Sequence, residues 1–263
     1  RLLAAIGNEG DALIAEVDEA TRRIPDEALR VEGLFVKASI AMQAVGFKDE
    51  VALEAVDAFL KAAPTDPRGP QLLGGLARRT VDEGRRAMLE DRLVREFPET
   101  FQAKSIQGKR KQEEALGKPF ELEFTDAVRG EKLSIAGMKG KVVVLDFWAT
   151  WCGPCVAEMP RMKALYAKYR DQGVEFVGVS LDLPEAEGGL KALKEFVAKN
   201  DIPWPQFYQG NGWDSEFSRS WGIQAIPSLF VVDREGNLAS VQARGKLDVL
   251  IPELLARPSG ETP

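Results

Sequence analysis

Cys152 and Cys155 are the only cysteines of the chain, separated by Gly153-Pro154, and there is no histidine. A dithiol catalyst needs one thiol that ionises near neutral pH and a second close enough to displace the mixed disulfide that the first one forms. Two intervening residues at the start of a helix meet both needs. The apolar run Val142–Trp148 reads as a strand, and a helix is expected from about Pro154 to Tyr169, so Cys152 falls at the strand-to-helix junction. Free backbone N–H groups and the helix dipole there favour a thiolate. Pro154 suits the first turn, where its missing N–H costs nothing. Cys152 is therefore expected to attack a target disulfide. Cys155, one turn on and more buried, is expected to resolve the mixed intermediate, leaving reduced target and a Cys152–Cys155 disulfide.

The same counts exclude other chemistry. Without histidine there is no Ser–His or Cys–His pair. Two thiols are half of a zinc site, so no metal is expected. No long-range disulfide can form within the chain. Proton transfer near neutral pH is left to a perturbed carboxylate, a thiol or water. Asp146 lies in the apolar strand, six residues before Cys152, where desolvation raises a carboxyl unless it is paired. Glu158 lies three residues after Cys155, on the same side of the helix. Each has a plainer reading: Asp146 as a carboxyl held by a lysine or water, Glu158 as an acid complementing the helix dipole. The working expectation is that the two share the proton of Cys155.

The elements that must position these residues alternate from about residue 116. Val142–Trp148 and Val174–Ser180 are near-continuous apolar strands, as expected of strands buried on both faces. Helices are expected at about 154–169, 189–199 and 247–256. Ser228–Val232 and Leu238–Ala243 read as an antiparallel hairpin closed by Arg234-Glu235-Gly236-Asn237. Two short strands, about Phe120–Phe124 and Lys132–Leu133, precede them. The order predicts an α/β mixed sheet flanked by helices.

Residues 1–115 carry helical periodicity only, as in Leu13, Ile14, Val17 and in Val51, Leu53, Val56, Phe59, Leu60. Pro25, Pro64 and Pro98 each end an apolar stretch, and Pro64 and Pro98 are 34 residues apart. That is the tetratricopeptide spacing. A non-repetitive helical bundle fits as well. The expected domains are an all-helical 1–115, an α/β 116–257 and a tail at 258–263. The charged run Lys109–Glu114 reads as a solvated helix end or linker.

An apolar content of 44% and a net charge of −6 describe a soluble globular chain with no nucleic-acid footprint. No apolar run reaches the roughly 20 residues that span a bilayer. The chain starts at Arg1 rather than Met, which fits a removed leader or anchor and equally a trimmed chain.

Asp146-Phe147-Trp148-Ala149-Thr150-Trp151-Cys152-Gly153-Pro154-Cys155 resembles the active-site strand and loop of the thioredoxin superfamily. Pro160 matches that family's helix-kinking proline, and Ile226-Pro227-Ser228 its cis-proline loop. Gly117–Phe124, Leu133–Lys141, Val179–Asp182 and Phe217–Ile223 resemble the TlpA/ResA-like group. The resemblance covers about 117–257 and leaves the helical half outside. It implies a thioredoxin-like fold and a cis Ile226–Pro227 bond. It also implies a substrate face made of Trp151, Gly153, Pro154, Ile226 and Pro227, with the Ile226 backbone pairing with bound peptide. For Asp146 it implies deprotonation of the resolving thiol, as in thioredoxins. The TlpA/ResA-like group more often has Asn there. For Glu158 it implies redox tuning.

The expected function is thiol–disulfide exchange, reducing disulfides in partner proteins with no cofactor beyond the Cys152–Cys155 pair. Gly-Pro between the thiols is the dipeptide of thioredoxin, a strong reductant at about −270 mV. The expected partners are a disulfide-bearing protein and an upstream electron donor, with a further protein partner at the helical half. Members of the resembled group are commonly exported, which implies an extracytoplasmic location. Two alternatives stand beside this: a thiol peroxidase, and a helical-repeat client-binding protein with a secondary redox site. Trp148 is expected in the core. Trp204 and Trp213 fall in loop-like stretches with no readable role.

Overall fold

The computed structural model describes residues 2–44 and 47–257, with side chains from residue 10 onward. The expected tail at 258–263 lies outside the described residues. The chain divides into two compact units, Arg1–Ile106 and Gln107–Pro263.

The first unit is built from α1 (Leu2–Arg22), α2 (Glu27–Gln43), α3 (Asp49–Ala62), α4 (Gly69–Arg79), α5 (Glu83–Glu96) and the start of α6 (Phe101–Ala115). Capping chemistry marks where helices begin. Asp26 accepts the Leu29 N–H at 2.9 Å ahead of α2, and Asp82 accepts the Arg85 N–H at 2.7 Å ahead of α5. The prolines at 25, 64 and 98 each fall just beyond a helix end, as their geometry requires. Val56, Phe59, Leu73, Leu76 and Leu93 are fully buried and form this unit's own core. Each such side chain contributes roughly 1.5–3 kcal/mol of burial. α3 and α5 begin 34 residues apart, at Asp49 and Glu83.

The part of α6 from residue 107 to 115 belongs to the second unit. Its charged run is a solvated helix end, with Lys109, Lys111, Glu113 and Glu114 exposed, and two of its residues also touch Trp221: Lys111 Nζ lies 4.3 Å over the ring, and Gln112 reaches the carbonyl. Gly108 meets the chain turn at Gly222, which has a φ of +60°. A Cβ at 108 would stand 2.2 Å from the Gly222 Cα, so glycine is required at that approach.

The second unit then carries β1 (Glu123–Thr125), β2 (Lys132–Ser134), β3 (Val142–Trp148), α7 (Gly153–Tyr169), β4 (Val174–Ser180), α8 (Gly189–Lys199), β5 (Gln206–Tyr208), α9 (Glu216–Ser220), β6 (Ser228–Val232), β7 (Leu238–Ser240) and α10 (Leu247–Ala256). β1 and β2 form an antiparallel pair. The main sheet has the order β5-β4-β3-β6-β7, with β3 central, parallel to β4 and antiparallel to β6. All seven residues of β3 are buried, which explains its continuous apolar pattern. Phe147, Trp148, Phe176 and Phe230 fill the core around it.

Three sequence expectations need correction. β5 was not foreseen: it is three residues long, preceded by Pro205 and too short to show alternation, yet it pairs with Gly178–Ser180 of β4. β7 stops at Ser240, not Ala243, and its pairing with β6 carries a register shift at Val231/Val232; beyond it Ala243 N–H donates to Leu229 O at 3.1 Å. The first short strand is Glu123–Thr125. The stretch before it instead runs beside residues 236–238, with Phe120 N–H donating to Gly236 O at 2.9 Å.

Candidate active site

β3 is the rigid element that aims the site. It delivers the chain at Trp148 into the loop Ala149-Thr150-Trp151, and α7 begins two residues later. Cys152 is the N-cap residue of α7, with extended backbone angles. Its sulfur accepts the Cys155 N–H at 3.2 Å, in the place where a serine or aspartate oxygen usually sits. Cys152 and Cys155 are joined as a disulfide, their Cα atoms 5.3 Å apart. Both are nearly buried, at 5% and 3% exposure. A thiolate on Cys152 would therefore receive a backbone hydrogen bond and the positive end of a 17-residue helix.

The other side of the dithiol is formed by the loop entering β6. The Ile226–Pro227 peptide bond is cis, and the Ile226 carbonyl oxygen lies 3.8 Å from Cys152 Sγ. β6 pairs with β3 so that Ser228 faces Phe147 and Leu229 faces Asp146. That register is what brings position 226 to position 152 across 74 residues of sequence. Trp151 is exposed, as are Gly153 and Pro154, whereas Pro227 is buried.

Asp146 is 4% exposed and its Oδ1 has no hydrogen-bond partner in the structure. Burial pushes its carboxyl up to about 7; the Glu158 carboxylate adds to the rise and the Arg244 guanidinium opposes it. Glu158, 17% exposed at its side chain, accepts from Arg244 Nε at 3.2 Å and stands 3.7 Å from Arg161. Arg161 in turn pairs with Asp248 of α10. Asp146 and Glu158 are thus electrostatically coupled, and the cation that faces them is an arginine from the loop after β7.

Three residues of this neighbourhood were missed from sequence. Arg244 is 86 residues from Glu158 and carries no local signal. Asp182 is buried and accepts from Thr150 N–H at 3.0 Å, from Thr150 Oγ1 at 2.6 Å and from Ser180 Oγ at 2.7 Å, fastening the active-site loop to the end of β4. Its position just past an apolar strand end was the available hint. Trp213 stands beside Trp151, ring centroids 6.1 Å apart. Trp148 and Trp204 are core residues, and Trp148 Nε1 donates to Gln206 Oε1 at 3.0 Å.

A cavity of about 500 Å³ between residues 119–123, 134–139 and 235–236 includes none of these groups. The dithiol is itself buried, and the exposed residues beside it are Trp151, Gly153 and Pro154. Among the described residues no helix is long and apolar enough to cross a membrane.

A mixed sheet of this order, with a dithiol capping the helix after its central strand and a cis-proline loop opposite, defines a thioredoxin-like domain. The redoxin family model matches residues 113–248, 136 of the 263 residues, and the chain belongs to that family. It is 35% identical over 111 residues to the thiol-disulfide oxidoreductase ResA of Bacillus thuringiensis subsp. konkukian, a match covering 42% of this chain and 60% of that protein. Against the thioredoxin-like protein YneN of Bacillus subtilis it is 31% identical over 112 residues, covering 43% and 62%. The chain spans about 60% of the length of these relatives. The solution structure of a thioredoxin-like protein from Bacteroides vulgatus aligns with 52% of this chain and 86% of its own, at 29% identity and a TM-score of 0.45. Residues 1–112 lie outside the family match.

Proposed function

We propose that this protein is a thiol-disulfide oxidoreductase that reduces disulfides in partner proteins. The observation that carries the reading is the Cys152–Cys155 disulfide at the tip of α7, with the Cys155 N–H directed at Cys152 Sγ. In the reduced protein the Cys152 thiolate attacks one sulfur of the substrate disulfide, forming a mixed disulfide and releasing the other sulfur as a thiolate. Cys155 then passes its proton to Asp146, whose carboxyl near 7 suits that transfer, and attacks Cys152 Sγ. The second substrate thiolate leaves and the Cys152–Cys155 bond closes, so two electrons have moved to the substrate. An upstream dithiol donor returns the oxidised pair to its reduced form. The resting place of the substrate backbone is beside Ile226 and Pro227, with Trp151, Gly153 and Pro154 around the attacking sulfur.

The matched ResA is a thiol-disulfide oxidoreductase by name, which supports the same chemistry here. We further propose an extracytoplasmic site of action, and a protein-docking role for residues 1–106. In that unit α2 presents Leu29 and Val36, two turns apart and exposed.

Insulin reduction driven by dithiothreitol tests the activity. C152S is expected to lose it by at least about 100-fold. C155S is expected to lose turnover while accumulating a mixed disulfide on Cys152, which mass spectrometry reads directly. If C155S is captured on neither insulin nor a cellular disulfide protein, the proposed order of the thiols is wrong. Consumption of hydrogen peroxide without a protein disulfide would instead favour a peroxidase.

A further inference from the structure

Trp151, Leu183 and Trp213 are exposed by 48, 47 and 41%. Exposed apolar side chains usually occur singly and need no explanation, whereas a contiguous group marks a contact surface. These three are fastened together. The rings of Trp151 and Trp213 stand 6.1 Å apart. Leu183 lies on adjoining backbone, because Gly212 N–H donates to the Asp182 carbonyl at 3.1 Å and the Tyr208 hydroxyl donates to the Leu183 carbonyl at 2.7 Å. The Asp182 carboxylate holds Thr150 from the other side. One buried residue therefore ties the loops carrying all three side chains, and Trp151 adjoins Cys152.

The surroundings are acidic. Segments 181–189 and 209–218 contain no lysine or arginine. They carry Glu185, Glu187, Asp214 and Glu216, all exposed, of which Asp214 reaches Arg219 at 3.4 Å. Indole faces add their own attraction for cations.

We propose that Trp151, Trp213 and Leu183, with this acidic border, form a recognition lip for substrate proteins whose reactive cysteine is flanked by an apolar residue and by a lysine or arginine. The apolar residue covers the two indoles. The cation lies against the carboxylates of the border, within reach of an indole face, which speeds encounter and selects against acidic partners. The inference rests on the thiol-disulfide exchange reading and names the substrate class for it.

The test uses the full reduced chain and symmetric disulfides of three short peptides, with the cysteine flanked by Leu and Lys, by Leu and Glu, or by Ser on both sides. Each second-order rate is divided by the rate of the same peptide with dithiothreitol, which removes the effect of flanking charge on the leaving thiol. The Leu/Lys peptide is expected to react at least about fivefold faster than the Leu/Glu peptide at low salt. At about 0.5 M salt that ratio should fall toward one. The E185Q/E187Q/D214N/E216Q variant should lose the charge preference, and W213S the preference for Leu over Ser. A reduced chain that attacks all three peptides at equal normalised rates overturns the lip while leaving the exchange chemistry standing. A chain that reduces none of them overturns the exchange reading as well.

Discussion

Glu158 Oε2 accepts a hydrogen bond from Arg244 Nε at 3.2 Å, and the two charges act in opposite directions on the buried carboxyl of Asp146. The pair works as a counterbalance: the glutamate alone would push Asp146 higher, and the arginine both opposes it directly and neutralises the glutamate. Arg161 and Asp248 extend the cluster outward. The charges facing Asp146 thus come from α7 and from the loop after β7.

The Asp146 midpoint should follow this balance. In R244M it should rise above its value of about 7, and in E158Q it should fall below it. Carboxyl chemical shifts followed against pH in the oxidised protein, where the thiols do not titrate, give the midpoints directly. The order R244M above wild type above E158Q is expected. Coincident curves for the three proteins would show that the charges do not reach Asp146.

Stability should depend on pH through the same group. Asp146 is raised from 3.8 to about 7 on folding, so between those values the folded chain holds a proton that the unfolded chain has released. Stability from this group is fully present below about 4 and declines as pH rises to about 7. D146N removes the titration. The variant should gain a few kcal/mol over wild type at pH 8 compared with pH 4, read by urea unfolding of the oxidised proteins. It should also slow resolution by Cys155 at neutral pH.

Asp182 accepts three hydrogen bonds from Thr150 and Ser180 in a buried position. D182A leaves those donors without partners, at a cost of roughly 1–3 kcal/mol for each buried group that finds no replacement. A lower Tm is expected, together with a change in tryptophan fluorescence as the Trp151 loop loosens. D182N, which keeps an acceptor, should recover part of both. Unchanged emission in D182A would mean the loop is held by other contacts.

Gly108→Ala places a methyl group against the backbone of Gly222, where a Cβ would lie 2.2 Å from the Cα. Backbone on both sides cannot yield as a side-chain tip would, so about 1–3 kcal/mol of destabilisation is expected. Differential scanning calorimetry should show it as a Tm lower by several degrees. A variant as stable as wild type would show that the end of α6 does not press on that turn.

Much of the sheet could be read from the chain because buried strands announce themselves. Val142–Trp148 has no polar residue except Asp146, and such a run followed by Cys-Gly-Pro-Cys has few other meanings. β5 escaped because three residues next to a proline carry no period. The end of β7 at Ser240 and the register shift within its pairing to β6 leave no mark in the pattern of apolar residues. In the helical half the prolines pointed to helix ends, but α2 and α3 are separated without one. The run Lys109–Glu114 is a solvated helix end as read, but the contacts of Lys111 and Gln112 with Trp221 left no sign in it, since Gln112 and Trp221 are 109 residues apart.

The redox-capable pair was determined by sequence alone, because Cys152 and Cys155 meet through the local geometry of one helical turn. So was the suspicion about Asp146, since a carboxylate in an apolar strand must be perturbed wherever the strand is buried. The direction of the Glu158 side chain toward Arg244, the approach of Ile226 to Cys152 and the pairing of Trp151 with Trp213 were decided only by the tertiary structure. Each joins groups separated by 62 to 86 residues. Such contacts are set by the pairing register of β3 with β6 and by loop closure around the sheet ends, and neither leaves a periodic trace along the chain.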